Sequence, residues 1–267
     1  MPLSLCTSLL YYRFSKGIPD EQNCVSIIDF EKDIQRLLDL GYKSFSISQI
    51  ISARKNKEKL PEKSFCIIFQ GGYEDNYTIA FPVIKETNVH VDIFIEPDVV
   101  GLTSHRDDKD FIPRFTWGQA NEMKKSGLVD IYAFWHPNED DNIILFDEII
   151  RRTKQIKNSI EISVPTTSFY INTTQHEKER IDALKQAGVE SFIIPFWLMN
   201  SEKIELGAIP FTCVNQGVNI LDIIEDFQQK CYDMIKQEED TFKPIVDCSK
   251  WDNQRYRTIE LPIEKNL

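Results

Sequence analysis

The sequence predicts an α/β protein built on a mostly parallel sheet that curls into an irregular (β/α) barrel of roughly seven strands. Two observations carry this expectation. Short apolar runs of strand length alternate with amphipathic segments of helical spacing along the 267 residues. Residues 65–69, Phe-Cys-Ile-Ile-Phe, form a buried-strand run that Gln70-Gly71-Gly72 breaks before a helix-like segment ending near Glu86. A strand that stops at such a turn and feeds a helix is where α/β proteins place their ligands. The tip of this strand is poor in chemistry: a glutamine and two glycines, with no carboxylate. No internal repeat or low-complexity linker interrupts the chain, so residues 1–267 read as one domain, with the placement of the polar tail at 241–267 left open.

Taken in order, residues 3–14 read as a first strand and 15–23, with Gly17 and Pro19, as a loop. Phe30, Ile34, Leu37 and Leu38 recur at helical spacing, predicting a helix over 29–40 with Asp29 as N-cap and Gly41 just past its end. A short strand follows at 42–46 and a helix at 49–55. Beyond the 65–69 strand and its helix, 91–95 is a strand and 101–114 a polar loop. Thr116 caps a helix at 117–125 that Gly127 ends. Strand 129–135 is followed by helix 144–157, strand-like segments at 161–164 and 168–171, and helix 176–187. Strands at 191–196 and 211–214 and a long helix at 220–237 complete the pattern.

The net charge of −11 argues against a general nucleic-acid binder, which needs a basic field. Six scattered cysteines, none in a Cys-x-x-Cys spacing, read as reduced thiols and favour a cytoplasmic setting. The first ten residues lack the basic lead and the cleavage site of a signal peptide, and no run reaches the ~18 apolar residues of a membrane span.

The features in this order resemble the polysaccharide deacetylase family, whose catalytic domain is the NodB homology domain, over residues 5–225. Leu10-Tyr11-Tyr12-Arg13-Phe14 is similar to that family's opening Tyr-His-Arg element, and Gly41-Tyr42 to the end of its first helix. Leu60-Pro61-x-Lys63 leading into Ile67-Ile68-Phe69-Gln70-Gly71-Gly72-Tyr73 resembles its Leu-Pro-x-Lys … Thr-Phe-Asp-Asp-Gly-Tyr signature. Asp75-Asn76-Tyr77, Thr116-Trp117-Gly118 and Ala187-Gly188 continue the agreement. The resemblance implies a NodB-like fold and removal of acetyl groups from N-acetylated sugars. In that chemistry a divalent metal on one Asp and two His polarises the amide and activates water, with a second Asp as base and a further His as acid.

Position by position, the residues that would do this are missing. The base and metal-ligand aspartates fall at Gln70 and Gly71, and the two metal histidines at Phe134 and Asn138, with His136 between them. Tyr12 stands for the first-element His, the late Arg falls at Gly207 or Ala208, and no His follows His176 to act as acid. The expectation is therefore a deacetylase-like protein without metal-dependent N-deacetylation, with no cofactor, keeping a carbohydrate-binding or accessory role in polysaccharide biosynthesis. Two rivals stay open. One is a hydrolase of amide-like bonds with relocated groups drawn from Glu74, Asp75, His105 and His136; the other is a scaffold or interaction protein.

Candidate substrate contacts are Gln70, Tyr73, Glu74 and Tyr12 near the first strands, and Trp135, His136, Tyr170 and Trp197 near later strand ends. Each has a plainer reading. Gln70 suits a turn in place of an unneeded acid, His136 a loop, and the aromatics core packing as well as stacking on sugar rings. His105 with Asp107, Asp108 and Asp110 reads as a solvated loop more readily than as a metal cluster. His90 and His176 read as structural, Cys66 as core, and Arg151-Arg152 with Lys154 and Lys157 as a solvated helix face.

Overall fold

A computed structural model describes residues 6–19, 23–103, 112–134, 146–159, 168–170, 191–196 and 208–240, together with Lys185, Val189 and Met199. Its strands are β1 (Thr7–Tyr11), β2 (Arg13–Ser15), β3 (Cys24–Ser26), β4 (Lys43–Ser44), β5 (Ser64–Gln70), β6 (Val91–Ile95), β7 (Val129–Ala133), β8 (Ser168–Tyr170), β9 (Ser191–Pro195) and β10 (Ala208–Cys213). Its helices are α1 (Ile27–Asp39), α2 (Ile47–Asn56), α3 (Phe81–Thr87), α4 (Trp117–Lys125), α5 (Phe146–Ser159) and α6 (Ile220–Asp240). The strand order β7-β6-β5-β1-β10-β9-β8 is parallel throughout, with β4 pairing alongside β5. The edge strands β7 and β8 approach within 8 Å between Cα atoms without joining in a ladder, so the sheet curls most of the way round. The expected parallel, barrel-like α/β architecture is the one observed.

Alternation along the strands sorts the core into two layers. Leu9, Tyr11, Ile67, Phe69, Ile93 and Ile131 face outward and pack under the helices. Tyr11, Phe14, Phe30 of α1 and Phe69 form one aromatic cluster, with ring centroids 4.9–6.2 Å apart and mostly tilted or edge-on. Leu10, Ile68, Phe94, Tyr132, Ile193 and Phe211 face inward and fill the barrel. Ile47 and Ile50 of α2 join this inner layer and close its lower end. Each large side chain buried this way is worth ~1.5–3 kcal/mol.

Several elements differ from the sequence expectation. The first strand is two, because the chain breaks at Tyr12, and β2 pairs with the unexpected β3 in a separate ribbon. Helix α1 starts at Ile27, so Asp29 lies in its first turn and Ser26 is its N-cap. Helix α2 starts at Ile47, two residues ahead of the expected 49, and Ser46 caps it in a reciprocal capping box with Gln49. The segment after β5 begins as a π-turn over Asn76–Ala80 before α3. Strands β4 and β7 are shorter than expected, and β10 begins at Ala208, ahead of the expected 211. Helix α4 and strand β6 match their expected bounds. The strand-like 161–164, all but one residue of the helix at 176–187, and the tail at 241–267 lie outside the described residues. No helix among the described residues is long and apolar enough to cross a membrane.

The lower end of the barrel holds a charged cluster. Asp92 on β6 and Asp130 on β7 are ladder partners with side chains on the same face. His90, just before β6, places Nε2 3.6 Å from Asp92 Oδ1 and 3.4 Å from Asp130 Oδ2, while Lys124 of α4 binds the other Asp130 oxygen. Burial alone would lower the His90 pKa, but the two carboxylates outweigh it and raise it to about 9.

Candidate active site at the barrel mouth

The upper end of β5 is where the resembled signature falls in the sequence. Gln70 is the last residue of β5 and faces the inner side of the sheet. It is only 8% exposed, and its Oε1 has no hydrogen-bond partner among the described residues. Gly71 then turns with φ +106° and Gly72 with φ +67°, conformations that side-chain-bearing residues avoid. Gly71 N–H donates to Phe94 O at 2.8 Å, which anchors the turn to β6.

A second segment closes over this turn. Phe115 N–H donates to Gly72 O and Glu74 N–H to Pro113 O, and Tyr73 bridges Arg114 in antiparallel fashion. The bridge brings the Arg114 guanidinium 3.8 Å above the Tyr73 ring, and its Nη1 donates to Gly71 O at 3.0 Å. A Cβ placed on Gly71 would sit 2.6 Å from the Tyr73 ring and 2.9 Å from Arg114 Nη1; one on Gly72 would sit 2.7 Å from Ile95 Cγ2. Both glycines are thus required by dihedral and by space.

Below the turn, Arg13 Nε donates to Asp75 Oδ2 at 3.1 Å. The fully buried Asn76 donates to Asp75 Oδ1 and to Tyr12 O, tying the β1–β2 break to the start of the π-turn. Burial pushes the Asp75 carboxyl from its ordinary 3.8 up to about 6, with Arg13 and the Phe14 N–H only partly offsetting it. Phe134, just past β7, is 5% exposed and packs in the inner layer; its carbonyl accepts from Arg152 Nη1 at 3.0 Å.

The structure therefore gathers Gln70, Tyr73 and the backbone of Glu74 around one turn, with the side chain of Glu74 exposed. Tyr12 packs partly buried against the inner layer, and its hydroxyl meets the Cys213 thiol. Tyr170 ends β8. Trp135, His136, Asn138 and Trp197, and with them His105, Asp107, Asp108, Asp110 and His176, lie outside the described residues. Arg151 and Arg152 correct the expectation of a purely solvated face: Arg151 makes a bidentate pair with Asp98, and Arg152, 17% exposed, reaches Phe134. Cys66 is a core thiol, as expected, with burial and Asp92 pushing its pKa far up.

A divalent ion held by one carboxylate and two imidazoles needs three such donors at this mouth. The described positions offer an amide at 70, no side chain at 71 and a phenyl ring at 134, with a guanidinium against Gly71. These residues do not fit such an ion. Arg114 was not evident from the sequence. It reaches the turn only because the 113–115 segment pairs with 72–74, and its one local signal was the Pro113-Arg114-Phe115 run ahead of the α4 cap.

Comparisons with known proteins agree on the surrounding frame. No family model matches the chain. It is 27% identical over 124 residues to the "Putative polysaccharide deacetylase YxkH" of Bacillus subtilis, a match covering 45% of this chain and 39% of that one. It is 28% identical over 103 residues to the poly-beta-1,6-N-acetyl-D-glucosamine N-deacetylase of Escherichia coli K12, covering 36% of this chain and 15% of that enzyme. Its relatives are polysaccharide deacetylases. The matched segments span well under half of either relative. Among solved structures, a de-N-acetylase from Aggregatibacter actinomycetemcomitans superposes with TM-score 0.64 at 20% identity, over 83% of this chain and 98% of that one. The Streptococcus pyogenes deacetylase PplD gives 0.64 at 16%, over 84% and 96%. These two establish the deacetylase-type fold.

Two outcomes follow from the mouth. Replacing Gly71 by Asp, the residue of the resembled signature, will destabilise the protein by ~1–3 kcal/mol in urea denaturation, because the φ and the space both disfavour it; a variant as stable as the parent contradicts this. The raised pKa of Asp75 sets a sign as well. Its protonated form favours the fold, so that stability is fully present below 3.8 and is lost as pH rises through about 6. Asp33, also raised to about 6 by burial and Asp29, adds to the same slope. Asp75→Asn will lose less stability than the parent between pH 4 and pH 7; equal slopes would show that Asp75 titrates normally.

Proposed function

We propose that this chain is a divergent relative of the polysaccharide deacetylases that has given up metal-dependent N-deacetylation and keeps a carbohydrate-binding or accessory role in polysaccharide biosynthesis. The observation that carries the reading is the turn at Gln70-Gly71. Where the family resemblance puts the base and a metal carboxylate, this chain has an amide and a glycine, and the Arg114 guanidinium and Tyr73 ring fill the space a side chain would need. An amide cannot take a proton from water near neutral pH, so general-base catalysis has no agent at that position. A guanidinium on the neighbouring carbonyl is also electrostatically hostile to a divalent ion.

What remains suits binding. The Gln70 amide has open hydrogen-bonding capacity in a nearly buried position, fit for a sugar hydroxyl or an N-acetyl group. The Tyr73 ring beside it, stacked on one face by Arg114, is an aromatic surface of the kind that packs on sugar rings. In this reading the mouth orients a glycan without hydrolysing it.

The test is to load the purified chain with Zn²⁺ or Co²⁺ and assay free amine and acetate release from an N-acetylglucosamine oligomer, alongside calorimetric binding. Binding that weakens several-fold in Tyr73→Ala, with no chelator-sensitive turnover, is expected. Turnover abolished by chelator would sink the proposal.

A further inference from the structure

At the opposite end of the barrel from Gln70, the geometry points to a second, structural site for a divalent transition-metal ion, Zn²⁺ in the first instance, formed by His90, Asp92 and Asp130. We infer this from three observations that do not involve the mouth.

The first is the spacing. A tetrahedral ion with metal–ligand bonds of 2.0–2.1 Å sets its ligands about 3.3–3.4 Å apart. His90 Nε2 lies 3.4 Å from Asp130 Oδ2 and 3.6 Å from Asp92 Oδ1, and the three residues can each bring one ligand atom within 4.8 Å of the others. One imidazole nitrogen and two carboxylate oxygens form a donor set that suits zinc and its neighbours rather than calcium or magnesium, which prefer oxygen alone.

The second is that the remaining atoms of both carboxylates are already fixed. Asp92 Oδ2 accepts from Ile47 N–H at 2.9 Å and from the Cys66 thiol at 3.4 Å. The other oxygen of Asp130 is held by Lys124. Each acid presents one oxygen toward His90 Nε2: Asp92 Oδ1, which has no hydrogen-bond partner among the described residues, and Asp130 Oδ2, which also accepts from Ser48 Oγ at 3.5 Å, so that outer-shell partners orient both carboxylates as they orient metal ligands.

The third is the state of Asp92 Oδ1. Asp92 is 0% exposed, and this oxygen, aimed at the imidazole, has no aligned hydrogen bond. The two ladder-paired aspartates lie side by side at the closed end of the barrel, with Lys124 on the outer oxygen of Asp130 and His90 between the inner ones. A proton on His90 is the rival occupant, but it leaves both Asp92 Oδ1 and His90 Nε2 without a well-formed hydrogen bond. An ion would satisfy all three inward-facing atoms at once. His90 retains 18% side-chain exposure, which gives an ion a path in. The ion would tie the starts of β6 and β7 together beneath the α2 cap, acting on stability and not on substrate.

The experiment uses the full chain, stripped with chelator and shown to be folded, titrated with Zn²⁺ by calorimetry and with Co²⁺ by visible absorption. One equivalent of Zn²⁺ is expected, with the strong visible bands of tetrahedral Co²⁺ and a raised Tm. His90→Gln should lose affinity by more than the ~10–100-fold that removal of an outer-shell partner costs. Lys124→Met, which keeps all three ligands, should bind but more weakly, and His136→Ala should bind as the parent does. Absence of stoichiometric binding, or binding that survives His90→Gln, overturns the inference. Binding lost in His136→Ala but not in His90→Gln also overturns it, and counts separately against a metal-free mouth.

Discussion

The mouth of this barrel is organised by one contact, the hydrogen bond from Arg114 Nη1 to the carbonyl of Gly71. It holds because Gly71 can turn through φ +106° and because no side chain stands between the guanidinium and the Tyr73 ring. Backbone pairing of the 113–115 segment with the 72–74 turn delivers Arg114 to this contact; together they clamp Tyr73 beneath a cation and lead into the α4 cap at Thr116. A side chain at position 71 would strain this arrangement, through the positive φ and through its contacts with Tyr73 and Arg114.

Around that contact the scaffold of a deacetylase-type barrel is intact. Strands β1 and β5 form the centre of the sheet, and their outward residues make the aromatic cluster with α1. Asp75 and Asn76 lock the chain break at Tyr12 against the π-turn through Arg13. Burying a partly protonated carboxyl there is costly unless its oxygens are satisfied, and both of them are. The network positions the turn whether or not chemistry takes place above it.

Much of this was legible in the residues. Helix α4 and strand β6 were placed to the residue because a capping box, a closing glycine and an apolar run are local signals. The start of α1 was misplaced because Asp29 fits a first turn as well as a cap, and the β2–β3 ribbon was missed because three-residue strands leave no periodicity to read. The amide and glycine at 70 and 71, where the resembled signature carries two aspartates, were visible in the sequence. Arg114 was not, since a contact across 43 residues depends on a backbone bridge that no spacing announces. The lower cluster was hidden for a related reason. His90 and Asp92 share a face by simple alternation, but only the β6–β7 register brings Asp130 beside them.

The two ends of the barrel thus carry different chemistry: a guanidinium, a tyrosine ring and an amide at the mouth, and a His-Asp-Asp-Lys cluster at the base. The central claim, that the mouth recognises a sugar without needing a metal, is tested most directly by NMR. The signals to follow are the Gln70 side-chain amide and the Tyr73 ring during titration with an N-acetylglucosamine oligomer in the presence of chelator. The account predicts saturable shifts at both residues, unchanged when Zn²⁺ replaces the chelator. Shifts that occur only with metal, or none at either residue, would contradict it.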